Sequence, residues 1–201
     1  MEVFIEPIEA SPRLFLFGAG HVAKATAALC RSIGFQVTVV DEREALLTAQ
    51  RFPGCELELR DPSVVLTERR FTDEDWLLIM THDHRLDQRA LELSIEQRPR
   101  YIGLVGSRRK VFRLLERITL RRGSELALDR VYAPVGLDLG AVGPEEIAIS
   151  IAGEMIALRR GKDAPHLRAV EDRRLQRALA ELNQPPPAAS PEPLTSSERM
   201  P

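Results

Sequence analysis

Residues 14–23 read Leu-Phe-Leu-Phe-Gly-Ala-Gly-His-Val-Ala, and this stretch decides the fold. An apolar run ends in Gly-Ala-Gly and is followed by residues that are compatible with a helix. Gly18 suits a tight turn off a strand, Gly20 lets the backbone approach a pyrophosphate, and Ala23 lets the helix pack close to a sheet. In such a turn the first N–H groups of the helix point towards the phosphates. The spacing therefore predicts a dinucleotide-type strand–helix–strand unit.

The next strand pattern supports this prediction. The apolar run at residues 35–40 ends in Asp41, which stands 21 residues after Gly20. In nucleotide-binding units of this kind, a carboxylate at that position accepts hydrogen bonds from a ribose. Arg43 follows two residues later and brings a cation to the same place. The alternative is a strand, turn and helix that bind no ligand.

Composition limits the classes of protein that the chain can represent. It has 201 residues, of which 44% are hydrophobic, and a formal net charge of −2. This suits one globular domain with a sizeable core and gives no bulk attraction to nucleic acid or to a membrane. No apolar run approaches the ~20 residues that span a bilayer, and the short acidic N-terminus does not fit a signal peptide. Cys30 and Cys55 are too few for a disulfide framework, so we expect a cytoplasmic protein.

Strand and helix patterns alternate along most of the chain. This alternation predicts a Rossmann-like, doubly wound parallel sheet in the order 3-2-1-4-5, with additional C-terminal helices. A variable crossover is predicted at residues 61–70. The strands are predicted at residues 13–17, 35–40, 55–59, 76–80 and 101–105, and the helices at 20–33, 42–51, from about 82 to 97, from about 107 to Gly123, and 143–160.

Four segments follow from these patterns. Residues 1–12 form a leader, and residues 13–162 form the Rossmann-like domain. An amphipathic helix is predicted at residues 163–183. From residue 184 onward the chain is rich in Pro and Ser without periodicity, so we predict a disordered tail over residues 184–201.

Three groups of polar residues are predicted to meet at the crevice where the strand order reverses. The Gly18–His21 turn follows the first strand, Thr81-His82-Asp83-His84 follows the strand at residues 76–80, and Gly106-Ser107-Arg108-Arg109-Lys110 follows the strand at residues 101–105. Ligands of doubly wound sheets bind at this crevice. The last group combines backbone N–H groups, a hydroxyl and three cations at the start of a helix, which predicts an anion site.

The histidine-rich group at residues 81–84 is compatible with several roles. Imidazoles and carboxylates there could bind a metal, shuttle protons or donate and accept hydrogen bonds with a polar heterocycle. Adjacent ligands splay apart and no fourth soft ligand is evident, so we predict no metal site. We predict a polar ligand instead. The structural alternative is a capped turn, with Thr81 or Asp83 as the N-cap of the following helix.

Seven motifs together resemble the C-terminal Rossmann-like domain of the xanthine dehydrogenase accessory (XdhC/CoxI) family, over about residues 13–161. Two of them, at residues 81–87 and 101–110, are specific in combination. The motifs are Gly-Ala-Gly-His-Val-Ala (18–23), Val-Val-Asp-Glu-Arg (39–43), Arg-Phe-Pro (51–53), Thr-His-Asp-His-Arg-Leu-Asp (81–87), Tyr-Ile-Gly-Leu-Val-Gly-Ser-Arg-Arg-Lys (101–110), Pro-Val-Gly-Leu-Asp-Leu-Gly (134–140) and Pro-Glu-Glu-Ile-Ala-Ile-Ser-Ile (144–151).

The resemblance implies a chaperone and not an enzyme with turnover. Such proteins bind the molybdenum cofactor, as molybdopterin or its cytosine dinucleotide, and support its sulfuration and insertion. The implied partners are the apo-form of a molybdenum hydroxylase, such as xanthine or carbon monoxide dehydrogenase, and a cysteine desulfurase. Longer relatives carry a preceding domain, and two alternatives follow for this chain: a separate protein supplies that domain, or the chain is a specialised short form. A homodimer is a compatible assembly.

The implied cofactor-binding residues come from all three groups and from the second strand. The two glycine-containing turns would hold the phosphate end, and the histidine-rich residues would face the pterin or the metal. The alternatives are an NAD-binding redox sensor or small dehydrogenase, which Asp41 favours, and a regulatory protein that docks through the helix at residues 164–182. The candidate residues are Gly18, Gly20, His21, Asp41, Arg43, Thr81, His82, Asp83, His84, Gly106, Ser107, Arg108 and Lys110.

Overall fold

Six parallel strands form one sheet in the order β3-β2-β1-β4-β5-β6. The structure is a computed structural model that describes residues 11–122 and 128–164. The predicted order is confirmed, and a short strand that was not predicted extends the sheet beyond β5. The strands are β1 (Arg13–Phe17), β2 (Gln36–Asp41), β3 (Glu56–Leu59), β4 (Asp75–Ile79), β5 (Tyr101–Leu104) and β6 (Val131–Tyr132).

Helices cover both faces of the sheet because alternate residues of the central strands point to opposite sides. On one face, Leu14 and Leu16 of β1 pack in a cluster with residues of α1 and α5. On the other face, Phe15 and Phe17 pack in a cluster with residues of α2, α3 and α4. The helices are α1 (His21–Ser32), α2 (Pro62–Glu68), α3 (His84–Ile95), α4 (Arg108–Arg122) and α5 (Pro144–Arg159).

The helix predicted at residues 42–51 is wrong. The segment forms hydrogen-bonded turns instead, with Leu47 N–H donating to Arg43 O and Phe52 N–H donating to Thr48 O. Side-chain contacts hold both ends: Arg43 bonds the neighbouring Asp41, and Arg51 reaches the distant Ala19 O. These anchors outweigh the helical propensity of the segment.

The variable crossover predicted at residues 61–70 contains a helix that was not predicted, α2. Asp61 is the N-cap, and its carboxylate accepts a hydrogen bond from Ser63 N–H at 2.6 Å. Pro62 stands at the first helical position, where its missing N–H costs nothing. Both helix-start signals were present in the sequence.

Several predictions fall outside the described residues. These are the leader over residues 1–10, the helix end at Gly123, the amphipathic helix at residues 163–183 and the tail at residues 184–201. The segment boundaries therefore stay predictions. Among the described helices, none combines the length and the apolar character that crossing a membrane requires.

Candidate functional site

The first glycine turn lies directly against the end of β4. Gly18 has φ +123°, and its N–H donates to Val40 O at 2.8 Å. A Cβ added to Gly18 would lie 2.3 Å from Met80 O and 3.1 Å from Thr81 Cα. Only glycine fits both the dihedral angle and this backbone contact. The turn that follows β1 and the residues that follow β4 are therefore in direct contact, as the crevice prediction requires.

Gly20 lies in a different environment only two residues later. A Cβ on Gly20 would meet no atom within 4 Å, and Gly20 is the N-cap of α1 without a side-chain hydrogen bond. The first N–H groups of a helix have no acceptor within the helix. His21, the first residue of α1, is exposed. The start of α1 therefore presents backbone donors to open space.

Asp41 lies at the carboxyl end of β2 with its side chain directed at the glycine turn, as predicted. The residue is 2% exposed. Its Oδ2 accepts a hydrogen bond from Ala19 N–H at 2.7 Å and another from Arg43 Nη2 at 2.7 Å. Its Oδ1 accepts from Arg43 N–H at 2.8 Å and from Arg43 Nε at 2.9 Å. Each carboxylate oxygen therefore already has two donors, which is its ordinary capacity.

These contacts set the charge state of Asp41. Burial opposes ionisation, but the hydrogen bonds from Arg43 and Ala19 outweigh it and lower the pKa of Asp41. The same bond raises the pKa of Arg43. A ribose could bind Asp41 only by replacing Arg43 or Ala19 as a donor, so the ribose role of Asp41 stays a prediction.

Asp83 and Asp87, which follow β4, have different roles. Asp83 is the N-cap of α3, and its Oδ1 accepts hydrogen bonds from Arg85 N–H at 2.6 Å and Leu86 N–H at 3.3 Å. These bonds lower the pKa of Asp83. Asp87, one turn later, is 7% exposed, and its Oδ1 accepts from Thr81 N–H at 3.0 Å and Thr81 Oγ1 at 2.7 Å. Burial raises the pKa of Asp87.

The three histidines near the crevice are all exposed. His84 Nδ1 lies 3.7 Å from Asp87 Oδ2, whereas His21 and His82 stand at the starts of different segments. Within residues 11–122 and 128–164, no group of three or more His, Cys, Asp and Glu side chains is arranged to hold a metal ion. The arrangement instead offers separate polar groups to a ligand.

A cavity of about 380 Å³, here the α3–α4 cavity, joins the second and third predicted groups. Its wall on the α3 side is polar, and the end of β5 and the apolar residues of α4 form the rest. Its lining consists of Thr81, His84, Asp87, Gln88, Leu104, Val105, Gly106, Lys110, Val111, Arg113, Leu114 and Arg117. Thr81, His84, Gly106 and Lys110 were predicted from the sequence.

Cations line the α4 side of this cavity. Arg117 Nη1 donates to Gln88 Oε1 at 3.1 Å and so connects α4 with α3. Lys110 and Arg113 are exposed, and neither pairs with a carboxylate in the described part of the chain. Sequence reasoning missed Arg113 and Arg117. Their spacing from Lys110, three and seven residues, places all three on one face of a helix and was the available signal.

A second cavity of about 560 Å³, here the 134–141 cavity, lies on the other side of Gly106. It is lined by residues 105–108, residues 134–141, Ile147 and Ser150. Arg108 forms an exposed ion pair with Asp138 at 2.5 Å. Ser107 Oγ accepts from Lys110 N–H at 3.4 Å, a weak cap of α4. Val105 and Gly106 belong to both linings, so the two cavities share this part of the chain.

Helix α5 holds the loop of the 134–141 cavity in place. Ser150 Oγ donates to Leu137 O at 2.6 Å, and Leu137 N–H donates to Ser150 O at 3.3 Å. A Cβ on Gly136, whose φ is +100°, would lie 2.3 Å from Ser150 Oγ. The loop therefore packs on α5 through a position that only glycine can occupy.

Comparison with known proteins agrees with this geometry. A protein of Bacillus subtilis named as a probable xanthine dehydrogenase subunit is 38% identical over 159 residues, which cover 79% of this chain and 46% of that protein. The uncharacterized protein YqeB of Escherichia coli K12 is 35% identical over 161 residues, which cover 79% of this chain and 29% of YqeB. A solved structure of a xanthine dehydrogenase from Bacillus halodurans is 33% identical with a TM-score of 0.67, covering 81% of this chain and 45% of that one.

The chain spans less than half the length of each of these relatives. Residues 14–155 match the model of the family described as the XdhC Rossmann domain. The match includes the whole sheet apart from Arg13, both glycine turns and most of α5. The chain therefore belongs to the XdhC Rossmann domain family.

Proposed function

We propose that this protein is an accessory factor of a molybdenum hydroxylase of the xanthine dehydrogenase type. It binds the molybdenum cofactor, as molybdopterin or its cytosine dinucleotide, and passes it to the apo-enzyme. It does not turn over a substrate. The family membership and the names of two relatives, which refer to xanthine dehydrogenase, support the proposal.

The α3–α4 cavity carries this proposal. Its two unpaired cations stand near the start of α4, where backbone N–H groups add to the attraction for an anion. Across the cavity stand the hydrogen-bonding groups of Thr81, His84 and Asp87. A pterin that carries a phosphate needs both kinds of partner, and the cofactor combines them in one molecule. The residues present therefore fit the group.

The remaining candidate residues take supporting roles in the proposal. The open start of α1 at Gly20 and the Gly106–Lys110 turn would bind phosphate groups, because each lies at the start of a helix, where backbone N–H groups and the helix dipole attract an anion. His21, His82, Asp83 and His84 would face the pterin or the metal end. When bound, the cofactor supplies the redox centre of the hydroxylase, and the role of this chain is to bind and orient it.

An NAD-binding sensor or dehydrogenase is the competing function. The Asp41 carboxylate, which would hold the ribose of NAD, already accepts four hydrogen bonds. This occupancy argues against NAD and leaves the cofactor proposal preferred.

In this proposal the protein acts in the cytoplasm together with other proteins. The apo-hydroxylase receives the cofactor, and a cysteine desulfurase supplies its terminal sulfur. A homodimer is the assembly to examine first.

Host cells that lack this protein test the proposal. We expect their molybdenum hydroxylase to have an intact polypeptide but an empty or unsulfurated active site, measured by pterin fluorescence, molybdenum content and cyanide-labile sulfur. The wild-type gene should restore all three quantities, and the double variant Lys110→Gln/Arg113→Gln should not.

The matched control is Lys24→Gln/Arg89→Gln, which removes the same number of charges from exposed helix positions outside both cavities. It should restore the hydroxylase as the wild type does. Fully active hydroxylase in cells without the protein would refute the proposal. So would oxidation of an alcohol with NAD by the purified protein at ordinary enzyme rates.

A further inference from the structure

The two carboxylate oxygens of Asp87 have different partners. Oδ1 accepts both hydrogen bonds from Thr81. Oδ2 lies 3.7 Å from His84 Nδ1, at ion-pair distance. The residue is 7% exposed and forms part of the cavity lining, and Oδ2 is not among the buried side-chain atoms that lack a partner. Oδ2 is therefore the oxygen that can accept a further hydrogen bond, from a ligand in the cavity.

The other wall of the α3–α4 cavity has the opposite chemistry. Lys110 and Arg113 present positive charge, and the apolar side chains of Leu104, Val111 and Leu114 complete the lining. The cavity thus offers an acceptor on α3, cations on α4 and an apolar surface. A flat ring with an N–H donor at one edge and an anionic substituent elsewhere matches this set of partners.

We propose that Asp87 Oδ2 accepts a hydrogen bond from the exocyclic amino group of a pterin-type heterocycle, while Lys110 and Arg113 hold the anionic group of the same ligand. The inference rests on the proposed function and assigns the edge of the ligand that this chain recognises. Asp87 is then the residue that distinguishes an amino heterocycle from its oxo analogue, because an oxo group would bring an acceptor against an acceptor.

Neighbouring groups are consistent with an ionised Asp87 in the complex. Burial raises its pKa in the free protein. Among its neighbours, His84 on the same helix opposes this rise, and Lys110, Arg113 and Arg117 on α4 line the same cavity. An amino donor would also oppose the rise and favour the carboxylate form.

Fluorescence titration of the full chain with two probes tests the inference. Pterin-6-carboxylate carries the 2-amino group, and lumazine-6-carboxylate carries an oxo group in its place. We expect the wild type to bind the pterin about tenfold more tightly than the lumazine, the ratio that one hydrogen bond to a charged acceptor accounts for. Asp87→Asn should reduce this ratio to near one, since its Oδ1 still accepts from Thr81 while its amide offers a donor to the ligand.

Two further variants separate recognition from folding. Glu92→Gln alters another buried carboxylate of α3, one that pairs with Arg121 outside the cavity lining, and should keep the tenfold ratio. Lys110→Gln should weaken both probes to the same extent and leave the ratio unchanged. A wild type that binds both probes equally, or neither, overturns the inference even if Asp87→Asn does not fold.

The inference and the proposed function fail in different ways. If Asp87→Asn keeps the tenfold ratio while the wild-type gene restores the hydroxylase in host cells, the inference alone is wrong. If the ratio depends on Asp87 but cells without the protein make active hydroxylase, the proposed function is wrong and the inference about the cavity stands.

Discussion

The pair of Asp41 and Arg43 shows how a buried charge is retained at the end of a strand. Asp41 is almost fully buried, which costs free energy unless its charge is matched. Arg43 supplies a two-point contact, and Ala19 adds a backbone donor from the glycine turn. A single carboxylate therefore connects β2 to the turn that follows β1.

We expect Asp41→Asn to lower the free energy of unfolding at pH 7 by about 3 kcal/mol, because the substitution leaves Arg43 without its anionic partner. The effect should depend on pH in a defined direction. The pKa of Asp41 is lowered in the folded state, so its stabilising contribution is complete above the unfolded pKa of about 3.9 and is lost as the pH falls through the folded value.

Urea unfolding at pH 7 and at pH 3 measures this difference. The difference in the free energy of unfolding between the wild type and Asp41→Asn should be smaller at pH 3 than at pH 7. Asp138→Asn, which alters a carboxylate in an exposed ion pair, serves as the control and should have little effect at either pH. An Asp41→Asn variant as stable as the wild type at pH 7 would show that the pair of Asp41 and Arg43 contributes nothing to the free energy of unfolding.

At the scale of elements, the two glycines of the first turn, Gly18 and Gly20, have different roles. Gly18 lets β1 end against the backbone of Met80 and Thr81, whereas Gly20 begins α1 and faces open space. The same sequence motif thus contains one position that the fold requires and one that a ligand could use.

We expect Gly18→Ala to destabilise the fold by about 3 kcal/mol or more, from left-handed strain and overlap with Met80 O. Gly20→Ala should cost less than about 1 kcal/mol, the difference between these residues as an N-cap. It should nevertheless weaken binding of the cofactor, since a methyl group would enter the space above the start of α1. Thermal unfolding of both variants measures their stability, and titration with pterin-6-carboxylate measures their affinity. Equal stability of the two variants would contradict the different roles of Gly18 and Gly20.

The elements that prediction recovered are those whose signals are local. The buried runs of β1 and β4 and the glycine turn identify themselves by composition and order. The segment at residues 42–51 has a helical pattern, but the ion pair of Arg43 with the buried Asp41 and the contact of Arg51 with the distant Ala19 decide its shape. The start of α2 could have been predicted from Asp61-Pro62, because this pair combines an N-cap residue with a proline at the first helical position.

The residues of the candidate site also divide into those with a local sequence signal and those without one. Lys110 was predicted because it belongs to a contiguous basic motif, whereas Arg113 and Arg117 reach the cavity only through the period of α4. Which oxygen of Asp87 is left for a ligand could not be predicted, because it depends on which oxygen Thr81 occupies. Likewise, the sequence places Asp41 beside the glycine turn but does not reveal that Arg43 fills its acceptor positions.

At the scale of the whole molecule, charge is distributed unevenly. The net charge is only −2, yet Lys110, Arg113 and Arg117 share one cavity. We expect the affinity for pterin-6-carboxylate to fall several-fold between about 0.05 and 0.5 M KCl, because salt screens exposed cations. Lys110→Gln/Arg113→Gln should bind more weakly and show a flatter salt dependence.

Titration at a series of KCl concentrations provides the comparison. Lys24→Gln/Arg89→Gln keeps the cavity cations and changes the net charge equally, so it should retain the wild-type slope. If the affinity of all three proteins depended on KCl concentration with the same slope, the anion would bind elsewhere on the surface.

The contact between Gly18 and the backbone of Met80 and Thr81 bears on how the proposed cofactor would be released. In the proposed function this chain first binds the cofactor and later passes it on, so its contacts with the cofactor have to change. Gly18 meets Met80 and Thr81 backbone to backbone, where there is no side-chain rotamer to change. At α4, in contrast, the exposed side chains of Lys110 and Arg113 can change rotamer. For the proposed transfer we therefore expect the apo-enzyme to approach from the α4 side.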